Sequence, residues 1–577
     1  MSRSSSPVLS RIGRRLGLRE HPWFWLAFAL LVLPLLYWFS ARLAEGWIPQ
    51  GDEALTAIRA HDAWSGHWPL VGMRSTSDQT VEGVYAYHPG PLEFYVIGLP
   101  YLLSGWQVWG LVLGCVIVTA AFVGVALWSG YRAAGIAGLL MVAGITVTLY
   151  GLFDSVLVLP WNPWPTVFGL LASLTVGWRM LIGQRGQWPL FLVCVSYTGQ
   201  AHLGITPIVG LLGVWMLALS LRRWWHGWPV DRRQIKRSIG VALLCWFGPI
   251  IDLFTYSPSN ISEVLAMATA DKAEDTSGDQ AWTHVTHMIF PWVRWWRDKG
   301  DDGAVTPVGA AIVVVACAIV IGVVVARRRQ VRRALRTGVP PARDADRHAA
   351  TAAVWIGLFA AGATFWAGTR TGGGLRIVYL DFSMAGPLFL SFAVAMWLFV
   401  ALRGVLEDLE IDADRLRSLR RRAVVAALVV PVLGTLQDPS YFRQFYAQGQ
   451  DKDVEQAKHV LEEVVPLLER PEYANLPVLV EGAGFTAWGS IAPALSSRLV
   501  ADGRDVFFDS WWEKKADDEF RRPENVAGER VVVRFEERAA DETWKTPAPD
   551  VAEEREFRFL AEPEGGRIRA LIAVRDE

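Results

Sequence analysis

Up to about residue 437 the chain is a succession of apolar runs of about 18 to 22 residues separated by arginine-rich loops, the length an α-helix needs to cross a hydrocarbon layer. Backbone N–H and C=O groups in lipid must be satisfied within the protein, so runs of this kind read as helices. The predicted fold is therefore mainly α and polytopic, a membrane protein with a soluble tail. Of the 577 residues 52% are hydrophobic and 29 are tryptophans, while the formal net charge is only -1. That balance gives no reason to expect a nucleic-acid partner. Cys115, Cys194, Cys245 and Cys317 all fall inside apolar runs, so the cysteines offer neither a disulfide framework nor metal-ligand spacing. The first run, His21 to Ala41, is too long for a signal peptide and lacks a small-residue cleavage site, so it reads as a retained span.

Arg11, Arg14, Arg15 and Arg19 precede that span, and the positive-inside rule places the segment 1–20 in the cytoplasm. Residues 43–90 are then extracytoplasmic. Further runs lie near 106–128, 133–153, 163–183, 187–204, 205–222, 238–254, 304–326, 349–368, 379–402 and 422–437. The run from Pro91 to Ser104, broken by Pro100, is short enough to read as re-entrant. About eleven crossings result, forming a transmembrane domain over 21–437 with extracytoplasmic loops 43–90, 154–162, 255–303 and 369–378. Composition changes abruptly after residue 437. Val454, Ala457, Val460, Leu461, Val464, Val465 and Leu468 repeat at helical spacing, and strand-like runs follow at 477–481, 505–508, 530–535, 555–560 and 568–574. Residues 438–577 thus form a small extracytoplasmic α/β domain, and the expected location is the cytoplasmic (inner) membrane.

Polar residues gather on the predicted outer face. Gly51-Asp52-Glu53-Ala54 opens the first external loop, and Tyr87-His88-Pro89-Gly90-Pro91-Leu92 closes it. Carboxylates at the bilayer surface suit a base acting on a lipid-borne substrate. Taken alone they first of all suit a helix start, with Asp52 as N-cap and Glu53 in the first turn, a role compatible with the other because a capping carboxylate still presents a free oxygen. Trp161-Asn162-Pro163 lies in the second loop, first of all a turn. Ser257-Pro258-Ser259-Asn260 reads as a helix start in the long loop, which also carries His284 and His287 at a spacing that would put both on one helix face. Arg376 and Tyr379 follow Gly372-Gly373-Gly374.

The order of these motifs resembles the GT-C class of membrane glycosyltransferases, which includes protein O-mannosyltransferases and the lipid A aminoarabinose transferases. Asp52-Glu53 stands where that class carries its acidic motif. The Tyr87 to Leu92 segment is similar to its His-Pro-Pro-Leu motif, with Gly90 in place of a proline, and Trp161-Asn162-Pro163, Gln200-Ala201-His202 and Arg376-x-x-Tyr379 also fall where the class has similar residues. The resemblance covers about residues 20 to 400. It implies a polyprenyl-phosphate-linked sugar as donor, a cell-envelope acceptor and inverting transfer on the extracytoplasmic face. Asp52 would be the general base with Glu53 beside it, and His88 and Arg376 would meet the donor phosphate. Asn162, Trp161, Tyr379, Tyr87 and His202 would contact substrate. A divalent metal (Mg or Mn) is a further possibility, with Glu53, His284 and His287 as candidate ligands. The alternatives left open are a transporter or flippase for a lipid-linked sugar and a catalytically inactive scaffold. In the tail, Gly482-Ala483-Gly484-Phe485-Thr486-Ala487 follows a strand and opens a helix like a dinucleotide-binding turn. A single βαβ unit in an external domain argues against that function.

Overall fold

The computed structural model describes residues 20–75, 77, 81–270, 276–291, 306–337, 344–371, 377–407, 422, 448–508, 519–544, 550–560 and 566–576. Helices appear where the apolar runs predicted them. They are α1 (Pro22–Ala44), α4 (Val108–Phe153), α5 (Pro163–Leu181), α6 (Trp188–Ala201), α7 (Thr206–Trp225), α12 (Thr306–Thr337), α13 (Ala345–Gly368) and α14 (Ala385–Glu407). Among the described residues six helices are long and apolar enough to cross a membrane, or seven if one bent pair is counted. The chain is thus a multi-pass membrane protein.

The span α4 is two helices joined by a kink, one on each of the predicted runs 106–128 and 133–153: the backbone leaves helical geometry at Ala134 and Gly135, where φ is 58° at the glycine, and Gly130 and Gly138 then pack backbone to backbone. A side chain on Gly138 would collide with the Gly130 carbonyl, so small residues permit the close return. The run at 238–254 departs from expectation. It forms α8 (Arg232–Cys245) and α9 (Phe247–Thr255), bent by 57° at Trp246, rather than one straight span. The re-entrant candidate is a short helix, α3 (Leu92–Leu103). The predicted last span at 422–437 lies outside the described residues except for position 422, as does the domain boundary at 437.

Between α1 and α3 comes α2 (Gly51–Ser65), an alanine-rich helix ended by Gly66 in the left-handed region at φ 102°. It is packed on two sides. Ala57 and Ala60 belong to the apolar core of the bundle, whereas Ile58 belongs to the core of the C-terminal domain. Residues 72–75 then pair with 85–88: Gly72 N–H donates to the His88 carbonyl at 2.9 Å and His88 N–H to that of Met73 at 2.7 Å. Helix α10 (Asn260–Thr269) begins at the predicted Ser259, whose side chain accepts from Ser262 N–H. It clasps the same segment, since Asn260 Oδ1 accepts from Tyr87 N–H at 2.8 Å and Glu263 from Tyr85 N–H at 3.0 Å. Helix α11 (Gly278–Ile289) follows, started by a reciprocal cap between Ser277 and Gln280, and it carries both His284 and His287.

The C-terminal domain carries α15 (Gln448–Leu468), α16 (Ala492–Ala501) and a five-stranded sheet ordered β2-β1-β3-β5-β4. Strands β1 (Val478–Ala483), β2 (Val506–Phe508) and β3 (Glu529–Ala539) run parallel. Strand β5 (Gly566–Asp576) is antiparallel to both β3 and β4 (Val551–Arg558). The predicted α/β character and all five strands are therefore present. The helix opened by the Gly482 to Ala487 turn includes a π-helical turn, Ala487–Ile491, before α16.

Candidate functional site

The site grows from the first turn of α2. Gln50, not Asp52, is the N-cap, and Gly51 begins the helix at φ 51°, a conformation that favours glycine. A Cβ at position 51 would also stand 2.9 Å from the Gly489 carbonyl of the C-terminal domain. The capping role for Asp52 is thus replaced by another: its Oδ2 accepts a hydrogen bond from Trp161 Nε1 at 3.0 Å. Because successive helical side chains diverge by about 100°, the two acids part company. Asp52 is exposed and Glu53 is buried.

Asp52 reaches solvent but is walled by protein on most sides, and that enclosure holds its carboxyl above the ordinary 3.8, with the Trp161 hydrogen bond pulling the other way. Burial, and then the Asp52 charge, push Glu53 up to about 8, while the Arg42 guanidinium opposes them. Arg42 itself is buried at the end of α1 and donates to Ser155 Oγ at 3.0 Å. Ser155 follows Asp154, a buried residue held at φ 55° where a non-glycine backbone is strained.

At neutral pH Glu53 is therefore held mostly protonated beneath Asp52. The folded pKa of Glu53, about 8, exceeds its ordinary 4.5, so the stability this group allows is complete below 4.5 and is lost as pH rises through 8. Glu53→Gln is neutral at every pH and keeps that stability. The variant's thermal midpoint should match wild type near pH 4 and exceed it increasingly towards pH 8. Equal midpoints across the range would show that Glu53 does not titrate in this way.

A continuous line of rings leads away from Asp52. Trp161 meets Phe382 edge to face at 5.7 Å, Phe382 meets His202 at 5.4 Å, and His202 stacks on His88 at 5.0 Å. Tyr379 lies 5.9 Å from His202. Asn162 does not face outward: its Nδ2 donates to the Ala201 carbonyl at 2.7 Å, tying the Trp161 turn to the His202 turn. Tyr87 is buried, its backbone held by Asn260. Gly90 sits against the Gln200 side chain, where any Cβ would collide. The structure thus brings together Asp52, Trp161, Asn162, His202, His88 and Tyr379, residues up to about 330 positions apart in sequence.

Three expectations change. His88 is not a cation. Its Nδ1 accepts from Leu203 N–H at 2.9 Å, and burial followed by the neighbouring His202 ring holds its pKa well below 6.5. His202 Nδ1 likewise accepts from Gly204 N–H at 3.2 Å. Both rings, when neutral, carry the proton on Nε2. His284 and His287 do not form a metal centre with Glu53. His284 Nε2 lies 3.0 Å from Asp381 Oδ1, and among the described residues no group of three or more histidines, cysteines and acids converges. Arg376 lies outside the described residues. The sequence reading also missed cations that the structure gathers beside α2: Arg59, Arg74 and Arg521 line a small cavity with Asp62 and Tyr87.

The glycine turn of the tail is explained as well. Glu537 of β3 accepts from Thr486 N–H at 2.7 Å and from Ala487 N–H at 3.4 Å. A carboxylate of the chain itself thus occupies the place a pyrophosphate would need.

No family model and no curated protein matches the chain. Among solved structures it is similar to the crystal structure of ArnT from Cupriavidus metallidurans bound to undecaprenyl phosphate, at 13% identity and a TM-score of 0.41 over 95% of this chain and 98% of that one.

Proposed function

We propose that this chain is a membrane glycosyltransferase of the GT-C type, moving a sugar from a polyprenyl phosphate to a cell-envelope acceptor on the extracytoplasmic face. The observation that carries the proposal is the placement of Asp52: an exposed carboxylate at the start of α2, one oxygen fixed by Trp161, beside a run of aromatic and imidazole rings. Asp52 takes the proton from an acceptor hydroxyl. The acceptor oxygen forms the new bond to the sugar's anomeric carbon, the bond from that carbon to the phosphate oxygen breaks, and polyprenyl phosphate leaves as the anion. One carboxylate suffices, because the sugar is displaced in one step with inversion.

The departing charge needs donors and cations. Neutral His88 and His202 serve as Nε2–H donors, and the positive charge comes from arginine, with Arg376 and the Arg59 and Arg74 pair beside Tyr87 as the candidates. Tyr379 and Trp161 offer flat apolar surfaces for a sugar ring.

The test uses purified full-length protein with a panel of undecaprenyl-phosphate-linked hexoses and pentoses. Release of undecaprenyl phosphate, dependent on an acceptor, supports transfer; movement of an intact lipid-linked sugar across vesicles without release supports the flippase instead. Trp161→Phe adds a finer check. Loss of its N–H removes a donor to the ionised base, so the Asp52 pKa rises further and the acid limb of the rate profile moves to higher pH. An unmoved limb would separate Trp161 from the base.

A further inference from the structure

The C-terminal domain does more than hang from the bundle. Arg521, from a short turn at Glu519–Arg521, reaches α2 and grips Asp62 with two hydrogen bonds, Nε to Oδ2 at 2.9 Å and Nη2 to Oδ1 at 2.5 Å, while Nη1 donates to the Val506 carbonyl at 3.1 Å. Both side chains are buried. Alongside, the Phe520 ring stacks on His67 at 3.8 Å and 10°. At the other end of α2 the Gly489 carbonyl abuts Gly51, and ahead of it Lys458 Nζ donates at 3.0 Å to the carbonyl of Glu45, the residue that ends α1. Helix α2 is consequently held at both ends by the tail, and Asp52 lies next to one of those ends.

We infer that Arg521 is a positioning residue for Asp52, acting through Asp62 and the α2 helix, so that the C-terminal domain sets the geometry of the base. A helix of 15 residues has little stability of its own, and no side chain caps this one at its start. Its placement therefore comes from tertiary contacts. Buried Asp62 needs its partner: burial alone would raise its carboxyl, and hydrogen bonds from Arg521 and then His61 bring it below 3.8. Without Arg521 the carboxylate must protonate or turn towards water, and either change releases that end of α2. The ten residues from Asp62 to Asp52 form a rigid rod of about 15 Å, so a small tilt at one end is a displacement at the other. Misplacing a reacting group by about 1 Å can cost about 100-fold in rate.

The role as positioning residue rests on the proposed transfer, but the mechanical link does not, so the two are tested separately. Full-length Arg521→Gln and Arg521→Lys proteins in nanodiscs are compared with wild type by amide hydrogen exchange. Expected in Arg521→Gln is exchange at least tenfold faster in the peptide covering 51–65, with the strands 478–576 within twofold of wild type, and partial recovery in Arg521→Lys. Unchanged exchange over 51–65 overturns the link. Where the sheet and α2 loosen together in both variants, a fold defect masks the link and Asp62→Asn, which removes the charge pair without touching the tail, decides: α2 loosened with the sheet unchanged supports the link, and α2 unchanged overturns it. Transfer from the undecaprenyl-phosphate sugars is read last. If wild type transfers and Asp52→Asn does not, Arg521→Gln should lower the maximal rate about 100-fold with the donor KM within threefold and the acid limb of the pH profile displaced. A normal rate there, with α2 loosened, overturns the positioning role alone. Absence of transfer in wild type defeats the proposed function and leaves the exchange result standing.

Discussion

Asp52→Asn is expected to reduce sugar transfer by about 10³-fold while donor binding stays intact. The size follows from what a positioned general base contributes, about 10² to 10⁴-fold. The substitution isolates that contribution, because an asparagine Oδ1 has the shape of the carboxylate oxygen and still accepts from Trp161 Nε1, now 3.0 Å from Asp52 Oδ2. Glu53 beneath it loses one repulsive charge and becomes easier to ionise. The substitution therefore leaves an acid in the neighbourhood but not at the reacting position. The measurement is the rate of undecaprenyl phosphate release at saturating donor, together with the thermal shift that undecaprenyl phosphate alone produces. Binding that survives while release disappears supports the base; release within a few-fold of wild type would remove Asp52 from the chemistry. In wild type the rate should climb with pH as Asp52 ionises, over a range above the usual 3.8, since the enclosure of the carboxyl raises its pKa. That limb should be missing from the residual activity of Asp52→Asn.

Much of this architecture is legible in sequence because lipid leaves the backbone few choices. The apolar runs have to be helices, and the structure places helices on the predicted runs outside 422–437. Geometry between runs is not legible in the same way. Nothing local to residues 238–254 says that the chain bends by 57° at Trp246, and nothing in the two runs over 106–153 gives the backbone angles of the kink that joins their helices at Ala134 and Gly135. The site shows the same division. Asp52, Trp161 and His202 can each be picked out by residue type and membrane side. Phe382, which joins Trp161 to His202, and Arg42, which faces Glu53, cannot, because their importance lies in contacts that no local motif encodes. His88 is recognisable as a site residue but not as a neutral one, since burial, invisible in the motif, decides its charge. The Gly482 to Ala487 turn shows the opposite case: a phosphate-binding pattern is present, and Glu537, fifty residues on, fills it.

Asn260→Ala should be among the most damaging substitutions outside the acids. Asn260 is buried, and its side chain serves the peptide on both sides of Tyr87: Oδ1 accepts from Tyr87 N–H at 2.8 Å, and Nδ2 donates to the Tyr87 carbonyl at 3.2 Å. Its own N–H donates to Asp252 Oδ2 at 2.7 Å, which anchors the start of α10 to the end of α9. Alanine keeps that last bond but takes these two side-chain partners from a buried N–H and a buried carbonyl, at a cost of about 3 kcal/mol. The next residue is His88, so the loss falls on the segment that carries the imidazole pair, and transfer should fall with stability rather than independently of it. Asn260→Asp separates the two halves of the clasp, since it retains the acceptor for Tyr87 N–H and gives up the donor; an intermediate loss is expected. Ile261→Ala, next on the same helix and 37% exposed, provides the comparison, with a change inside about 0.5 kcal/mol. Were Asn260→Ala as stable as Ile261→Ala, the clasp between the first loop and α10 would have no part in holding His88, and the line of rings from Asp52 would have to be held from the bundle side alone.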